Sequence, residues 1–195
     1  RTRGALELAY QYGFGFTLIT KSALVLRDLE LLRAINRDSK CVVQMTLTTA
    51  NDTLAKKLEP NASTTSERIR ALYTLRDAGI PTVVWLAPFL PFINDTESNL
   101  RALLDACITA KVHGILCFGI GLTLREGNRE YFYAQLDRLF PGMKERYIRT
   151  YADQYIVTSP NNSRLMPIFH RICDEHHILH HPEDVFAYLN EFDYT

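Results

Sequence analysis

Side chains with chemical potential stand where the apolar, β-rich runs of the sequence end. They are Lys21 and Ser22 after the first run, Thr46 near the end of the second, and Ala87 and Pro88 at the end of the third. In parallel α/β sheets the carboxyl ends of the strands meet at one edge, and ligands bind there. We therefore expect these five residues to converge on one rim and to bind a small molecule.

Lys21 has the widest chemical scope of the five. An ammonium at the end of a buried strand can hold a carboxylate as a point charge. If it loses its proton, the same side chain can instead act as a Schiff-base nucleophile. A lysine that simply extends into solvent beyond the strand is a third interpretation. The spacing of the residues leaves all three roles open.

The elements that would position these residues alternate between strands and helices. The pattern predicts a helical segment at 5–12, strands at 16–20, 41–48, 82–87 and 114–119, and helices at 22–36, 66–78, 97–110 and 129–139. Strands that alternate with helices of this length are typical of parallel βαβ units. The fold class is therefore α/β, with about four parallel βα units. The helices would cover one side of a curved sheet or both sides of a flat one.

The composition and the predicted secondary structure of the sequence change after residue 141. Residues 142–195 are polar and helical, with tyrosine and phenylalanine anchors and a last helix from Pro182 to Phe192. We therefore divide the chain into a βα body at 1–141 and a helical C-terminal extension at 142–195 that packs on this body.

Composition excludes some classes of protein. Lysine plus arginine and aspartate plus glutamate both number 22, so the formal net charge is zero. This balance argues against a chain that mainly coats nucleic acid. No apolar run approaches the ~20 residues that span a bilayer. The four cysteines, which lack the close spacing of a metal site, are predicted to be reduced core thiols of a cytoplasmic protein.

Four strings of the sequence resemble one family. They are ITKSALVLRDLELL at 19–32, VQMTLTT at 43–49, LEPNASTTSERIRAL at 58–72 and AGIPTVVWLAPFLPFINDTE at 78–97. They are similar to stretches of radical S-adenosylmethionine (SAM) proteins of the spore photoproduct lyase, or DNA repair photolyase-like, subfamily. The resemblance covers about residues 17–125, in the expected order. One departure is Phe92, which stands where relatives commonly have glycine.

The resemblance implies a partial, TIM-like (β/α) barrel that binds SAM against a [4Fe–4S] cluster. Reductive cleavage of SAM would release a 5′-deoxyadenosyl radical that abstracts hydrogen from a substrate, as in a lyase. Lys21 would contact the carboxylate or ribose of SAM, Thr46 would offer it a hydroxyl, and Ala87 would lie against the adenine. Ser22 and Pro88 would complete this cofactor-binding site. DNA, in a repair reaction, or another bulky molecule would be the substrate.

The family's cluster-binding C-x-x-x-C-x-x-C loop matches none of the four cysteines. By resemblance, the 195 residues are a C-terminal part of the enzyme that lacks this segment, and alone they are expected to be inactive, with no metal site and no tightly bound cofactor. The first strand would then be an open edge, which predicts self-association. Two alternatives stay open: a lyase or aldolase-type barrel with Lys21 as Schiff-base residue, and a non-catalytic α/β ligand-binding domain.

Overall fold

The computed structural model describes residues 2–191. Its strands are β1 (Phe16–Thr20), β2 (Cys41–Leu47), β3 (Thr82–Leu86), β4 (Gly114–Leu116), β5 (Gly121–Thr123) and β6 (Ile156–Thr158). Its α-helices are α1 (Thr2–Gln11), α2 (Leu29–Ser39), α3 (Asp52–Leu58), α4 (Thr65–Asp77), α5 (Glu97–Ala110), α6 (Asn128–Leu139), α7 (Met143–Tyr151), α8 (Asn162–Glu175) and α9 (Pro182–Ala187). Two 3₁₀ helices span Ala23–Asp28 and Tyr188–Asn190.

The first four strands form one parallel sheet in the order β1-β2-β3-β4. In this register Thr20 of β1 pairs with Met45, and Thr46 of β2 pairs with Trp85. The strand ends therefore lie at neighbouring heights along one edge. The predicted α/β class with four parallel strands is confirmed.

Alternate residues of the sheet face two different environments. Buried side chains such as Met45, Val84 and Ile115 join α4, α5 and α8 in the largest apolar cluster. A second cluster on the same face packs β1 and β2 against α1 and α2. The helices of the βα units therefore lie on one face, as expected for a curved, barrel-like sheet.

The opposite face of the sheet is covered over only part of its length. Val42, Val83 and Leu116 pack against Val185 of α9 near the amino ends of the strands. Towards the carboxyl ends this face is open, and Ile19 of β1 is 57% exposed. β1 lies at the edge of the sheet, as predicted. Its apolar side chains are not covered on both faces, because no helix of the described residues packs over its open side.

Three local predictions are wrong. The helix at 22–36 is a 3₁₀ helix followed by α2, with buried Asp28 at the junction between them. The strand at 114–119 ends at Leu116, and Gly121–Thr123 pairs instead with Ile156–Thr158 in an antiparallel ribbon. The helix α3 had no counterpart among the predicted elements.

The C-terminal segment is mostly helical, as expected, and α8 packs directly on α5 through the largest apolar cluster. Of the last predicted helix, α9 and the 3₁₀ turn at Tyr188–Asn190 account for 182–190, and Phe192 lies outside the described residues. The domain boundary at 141/142 stays a prediction. Among residues 2–191, every helix is too short or too polar to cross a bilayer.

Candidate functional site

A cavity of about 620 Å³ opens at the carboxyl ends of β1, β2 and β3. Lys21, Thr46, Ala87 and Pro88 all line it. Its volume lies in the range of about 300–1,000 Å³ that is typical of small-molecule sites. The structure therefore brings together four of the five residues that the sequence marked. We refer to this space as the strand-end cavity.

Ser22 is the exception among the five. Its hydroxyl accepts a hydrogen bond from the backbone N–H of Leu24 at 3.2 Å and caps the 3₁₀ helix at Ala23–Asp28. Ser22 does not line the strand-end cavity. Because an N-cap hydroxyl is already used by the backbone, the geometry gives Ser22 a structural role in the turn that follows β1.

An aromatic surface forms one wall of the strand-end cavity. Trp85 of β3 and Phe118 lie with their ring centroids 5.7 Å apart, and Phe118 is 72% exposed. The indole N–H of Trp85 donates to Gln44 Oε1 at 2.5 Å, which fixes the ring on the open face of the sheet. A flat apolar group could stack on such a surface. The sequence indicated Trp85 only as a buried strand residue.

The loop after β4, which carries Phe118, also lines the cavity and depends on two glycines. Gly119 has φ +131°, a backbone conformation that favours glycine. A Cβ on Gly121 would lie 2.2 Å from the carbonyl oxygen of Val157, so only glycine allows β5 to approach β6. Asn162 Oδ1 accepts the N–H of Ile120 at 2.8 Å and holds this loop against α8.

A buried guanidinium organises the Lys21 side of the cavity. Arg68 of α4 is only 1% exposed and donates to the carbonyl oxygen of Thr46 at 2.9 Å. It also donates to Glu59 Oε2 at 2.6 Å. Glu59 Oε1 in turn accepts from the ammonium of Lys21 at 2.5 Å. One arginine therefore fixes two of the marked residues, Lys21 through Glu59 and Thr46 through its backbone.

The charges of this network favour an ionised Glu59. Burial alone would raise the pKa of Glu59, but hydrogen bonds from Lys21 and Arg68, and their positive charges, lower it below its usual value. The Lys21 side chain is 43% exposed and its ammonium has three N–H donors, so it can contact a ligand carboxylate as well as Glu59.

A buried carboxylate supports another side of the cavity. Asp95 is 2% exposed, and its Oδ2 accepts from the hydroxyl of Ser159 at 2.5 Å. The side-chain amide of Asn161 donates to the Asp95 backbone oxygen at 3.0 Å. These bonds fix the end of β6 and the start of α8, which carry the cavity residues Thr158 and Asn162.

The donor set of the strand-end cavity fits S-adenosylmethionine. Lys21 supplies a cation for a carboxylate, Thr46 a hydroxyl, and Trp85 with its neighbours an apolar surface for a flat base. The lining therefore offers partners for the carboxylate, a hydroxyl and the flat base of the molecule.

The cysteines do not fit a [4Fe–4S] cluster. All four are free and buried, as predicted, and burial raises the pKa of Cys41 and of Cys173 to about 12. Metals bind the thiolate, which burial disfavours. Within residues 2–191 no group of three or more His, Cys, Asp or Glu side chains is arranged to hold a metal.

The fold has solved counterparts among radical SAM enzymes. A spore photoproduct lyase mutant with bound AdoMet and dinucleoside spore photoproduct matches 89% of this chain and 52% of its own, with a TM-score of 0.59 and 13% identity. A radical SAM methyltransferase from Kitasatospora setae, with tryptophan and a SAM analogue bound, matches 95% of this chain and 40% of its own, with a TM-score of 0.50 and 13% identity. At these identities the likeness establishes the fold alone, a partial β/α barrel similar to part of these enzymes.

Sequence relatives exist in bacteria and archaea. An uncharacterised protein of Mycobacterium tuberculosis is 30% identical over 139 residues, which are 71% of this chain and 40% of that protein. An uncharacterised protein of Methanocaldococcus jannaschii is 35% identical over 81 residues, 42% of this chain and 30% of that protein. The chain thus spans well under half the length of these relatives. No protein-family model matches it.

Proposed function

We propose that this chain is the SAM-binding part of a radical SAM enzyme of the spore photoproduct lyase type. The observation that carries the proposal is the convergence of Lys21, Thr46, Ala87 and Pro88 on one strand-end cavity. These residues follow or end three separate strands, β1, β2 and β3, that the sequence pattern predicts. The radical SAM fold of the chain supports the same assignment.

Each wall of the strand-end cavity has a role in this proposal. Lys21 binds the carboxylate of SAM and is held in place by Glu59. Thr46 donates its hydroxyl to the ribose or carboxylate. Ala87 leaves room for the adenine, which stacks towards Trp85, and Pro88 closes the edge. Together these residues orient the cosubstrate and exclude water from it.

SAM, when bound against a reduced iron–sulfur cluster, supplies a carbon-centred radical that abstracts hydrogen from a substrate. The residues of this chain do not fit the cluster, so we propose that a C-x-x-x-C-x-x-C loop encoded upstream of Arg1 holds it and that the 195 residues alone are inactive. Such a loop within one or two βα units before Arg1 would support the proposal. A longer protein without it would contradict the proposal.

The substrate of the whole enzyme is proposed to be DNA or another bulky molecule. Spore photoproduct lyase, a structural counterpart, is described with a dinucleoside spore photoproduct. The zero net charge means that any DNA contact would depend on local cations rather than on overall attraction.

The cavity contains the only tryptophan of the chain, which provides a direct test. We expect SAM to change the fluorescence of Trp85 saturably, after correction for absorption by the nucleoside. Lys21→Gln should weaken SAM binding about tenfold, the effect of losing ~1.4 kcal/mol from one charge-assisted contact. Methylthioadenosine lacks the carboxylate, so Lys21→Gln should leave its binding within about twofold.

The exposed Lys111 at the end of α5 gives a matched control, and Lys111→Gln should bind SAM like the unsubstituted protein. Equal weakening of SAM and methylthioadenosine by Lys21→Gln would contradict the assigned role of Lys21. Unchanged Trp85 fluorescence at saturating SAM would contradict the site itself.

The ion pair with Glu59 disfavours Lys21 as a Schiff-base nucleophile. The Lys21 nitrogen already contacts Glu59 Oε1 at 2.5 Å, so attack on a carbonyl would first have to break this contact. Borohydride treatment with a carbonyl compound should therefore leave Lys21 unmodified. A covalent adduct at Lys21 would favour the lyase or aldolase alternative over our proposal.

A further inference from the structure

A second cavity of about 230 Å³ adjoins the strand-end cavity. It lies between the strand ends, α3 and α6, and it shares Lys21, Pro88 and Leu122 with its larger neighbour. We refer to it as the α6 pocket. Its position beside the proposed SAM site makes it a place where a second molecule could be held within reach of the first.

The α6 pocket is lined mainly by apolar and aromatic side chains. They include Leu90, Phe132, Leu136 and Phe140, of which Leu90 and Leu136 are buried. Its volume is below the usual range for whole small-molecule sites, which begins near 300 Å³. The space therefore suits a single ring with a short substituent.

The charges around the α6 pocket are unbalanced in favour of cations. Glu59 is its only lining carboxylate within the described chain, and Lys21 and Arg68 already bind it. Lys57 and Arg138 also line the pocket, and across residues 2–191 neither forms a salt bridge. Arg138 donates only to the neutral side-chain oxygen of Gln135. The pocket therefore offers two uncompensated cations beside an apolar interior.

One of these cations already contacts an aromatic ring of the α6 pocket. The ammonium of Lys57 lies 4.2 Å from the ring centroid of Phe140. This cation–π contact holds the charge at the margin of the pocket. A ligand ring inside the pocket could therefore carry its anionic group within reach of Lys57.

We propose that the α6 pocket binds the substrate as a planar ring that carries a carboxylate or phosphate, with the ring beside the strand-end cavity and the anion at the margin of the pocket. The ring packs against Phe132 and Leu136, and the anionic group is bound by Lys57 and Arg138. The substrate role rests on the proposed function, whereas binding of the ring and anion rests on the pocket alone.

The test compares charged ligands with neutral counterparts of the same shape. Phenylpropionate and phenyl phosphate are titrated against phenylpropanamide and phenyl sulfamate, with binding followed by ligand-observed NMR. At least one anion should bind about tenfold more tightly than its neutral counterpart, and which one binds distinguishes a carboxylate from a phosphate source. The double variant Lys57→Gln/Arg138→Gln should remove this preference. Equal binding of anion and neutral counterpart, or no binding of either, would overturn the proposal.

Two controls locate the ligand. Lys111→Gln removes an exposed cation outside the pocket and should leave the anion preference intact. Leu136→Phe fills the pocket and should abolish binding of every ring, while an unchanged far-ultraviolet circular dichroism spectrum shows that the variant is folded. Loss of the anion preference in Lys111→Gln would indicate nonspecific attraction and would overturn the proposal.

The same samples separate this inference from the proposed function. Trp85 lines the strand-end cavity and not the α6 pocket, so its fluorescence reports SAM independently. Charge-dependent ring binding without SAM binding would contradict the proposed function and leave the pocket assignment standing. SAM binding without any ring binding would contradict the pocket assignment and leave the proposed SAM site standing.

Discussion

Two carboxylates, Glu59 at 15% exposure and Asp95 at 2%, support different sides of the strand-end cavity, and their partners differ in charge. Glu59 is bound by two cations, Lys21 and Arg68, at 2.5 and 2.6 Å. Asp95 is bound by a hydroxyl and an amide, those of Ser159 and Asn161. The first side can attract or repel a charged ligand, because Lys21 is partly exposed. Within the described chain, the Asp95 side carries no free charge towards the cavity. Its hydrogen bonds fix the end of β6 and the start of α8, and so position the cavity residues Thr158 and Asn162.

The two carboxylates are thus stabilised in different ways, Glu59 by positive charges and Asp95 by neutral hydrogen-bond donors. Removing a cation from a buried ion pair leaves an uncompensated charge, which is more costly than removing one neutral donor. The charged side should therefore be the more sensitive of the two to single substitutions, although both sides shape the same cavity.

The largest effect is expected at Arg68. Arg68→Met should lower the free energy of unfolding by about 3 kcal/mol, because it leaves Glu59 with one cation and removes a donor from the carbonyl oxygens of Ser63 and Thr46. Urea unfolding followed by circular dichroism measures the change. Arg70→Met, on the exposed side of the same helix, is the matched control and should change stability by less than about 0.5 kcal/mol. Similar losses of stability in the two variants would show that the contacts of Arg68 with Glu59, Ser63 and Thr46 do not stabilise the fold.

A smaller effect is expected on the neutral side. Ser159→Ala removes the hydroxyl that donates to Asp95 and should lower the free energy of unfolding by about 1–2 kcal/mol. The exposed Ser163 of α8 provides the control, and Ser163→Ala should be close to neutral. The same urea titrations measure both variants. A loss in Ser159→Ala as large as that in Arg68→Met would show that the charge of the partner does not determine the cost.

The sheet could be predicted well because its signals are local. β1 matches its predicted range, β2 and β3 end within one residue of theirs, and α5 spans the predicted 97–110. Continuous apolar runs and a capping Thr96 carry this information in neighbouring residues. The pairing of β5 with β6 joins two three-residue segments that lie far apart in the chain, and no local pattern reports it.

The site could be predicted only in part, for the same physical reason. The ends of apolar runs marked Lys21, Thr46 and Ala87, because strand ends are visible in the sequence. Glu59 and Arg68 look like ordinary polar residues near helices, and only the folded chain shows that Arg68 is buried and reaches Thr46. Their partners are distant in sequence, so periodicity could not assign them to the cavity.

Phe92 lies in the loop after β3 and has a positive φ that its side-chain contacts stabilise. It stands where relatives of the resembling family commonly have glycine, and its φ of +66° is the conformation that glycine adopts without strain. The ring of Phe92 packs edge-on against Tyr147 at 5.9 Å, and the guanidinium of Arg146 lies 3.7 Å from its centroid. These contacts offset the backbone cost and join the loop after β3 to α7.

The smallest effect, and the sharpest comparison of the two carboxylates, is expected from acidification. The pKa of Glu59 is lowered in the folded state from its ordinary value of 4.5, so the unfolded chain binds a proton more readily. The contribution of Glu59 to stability is therefore complete at neutral pH, and it declines as the pH falls from about 4.5 through the lowered pKa. Its slope cannot exceed about 1.4 kcal/mol per pH unit, the value for one proton.

Glu59→Gln removes this titration while keeping the shape of the side chain. The stability advantage of the unsubstituted protein over Glu59→Gln should therefore be largest at neutral pH and should shrink on acidification, as measured by urea unfolding at several pH values. Glu126→Gln, at an exposed position, should follow the unsubstituted protein throughout. A constant difference between the unsubstituted protein and Glu59→Gln across the acidic range would mean that Lys21 and Arg68 hold the shape of Glu59 rather than its charge. The contrast with the neutral partners of Asp95 would then disappear.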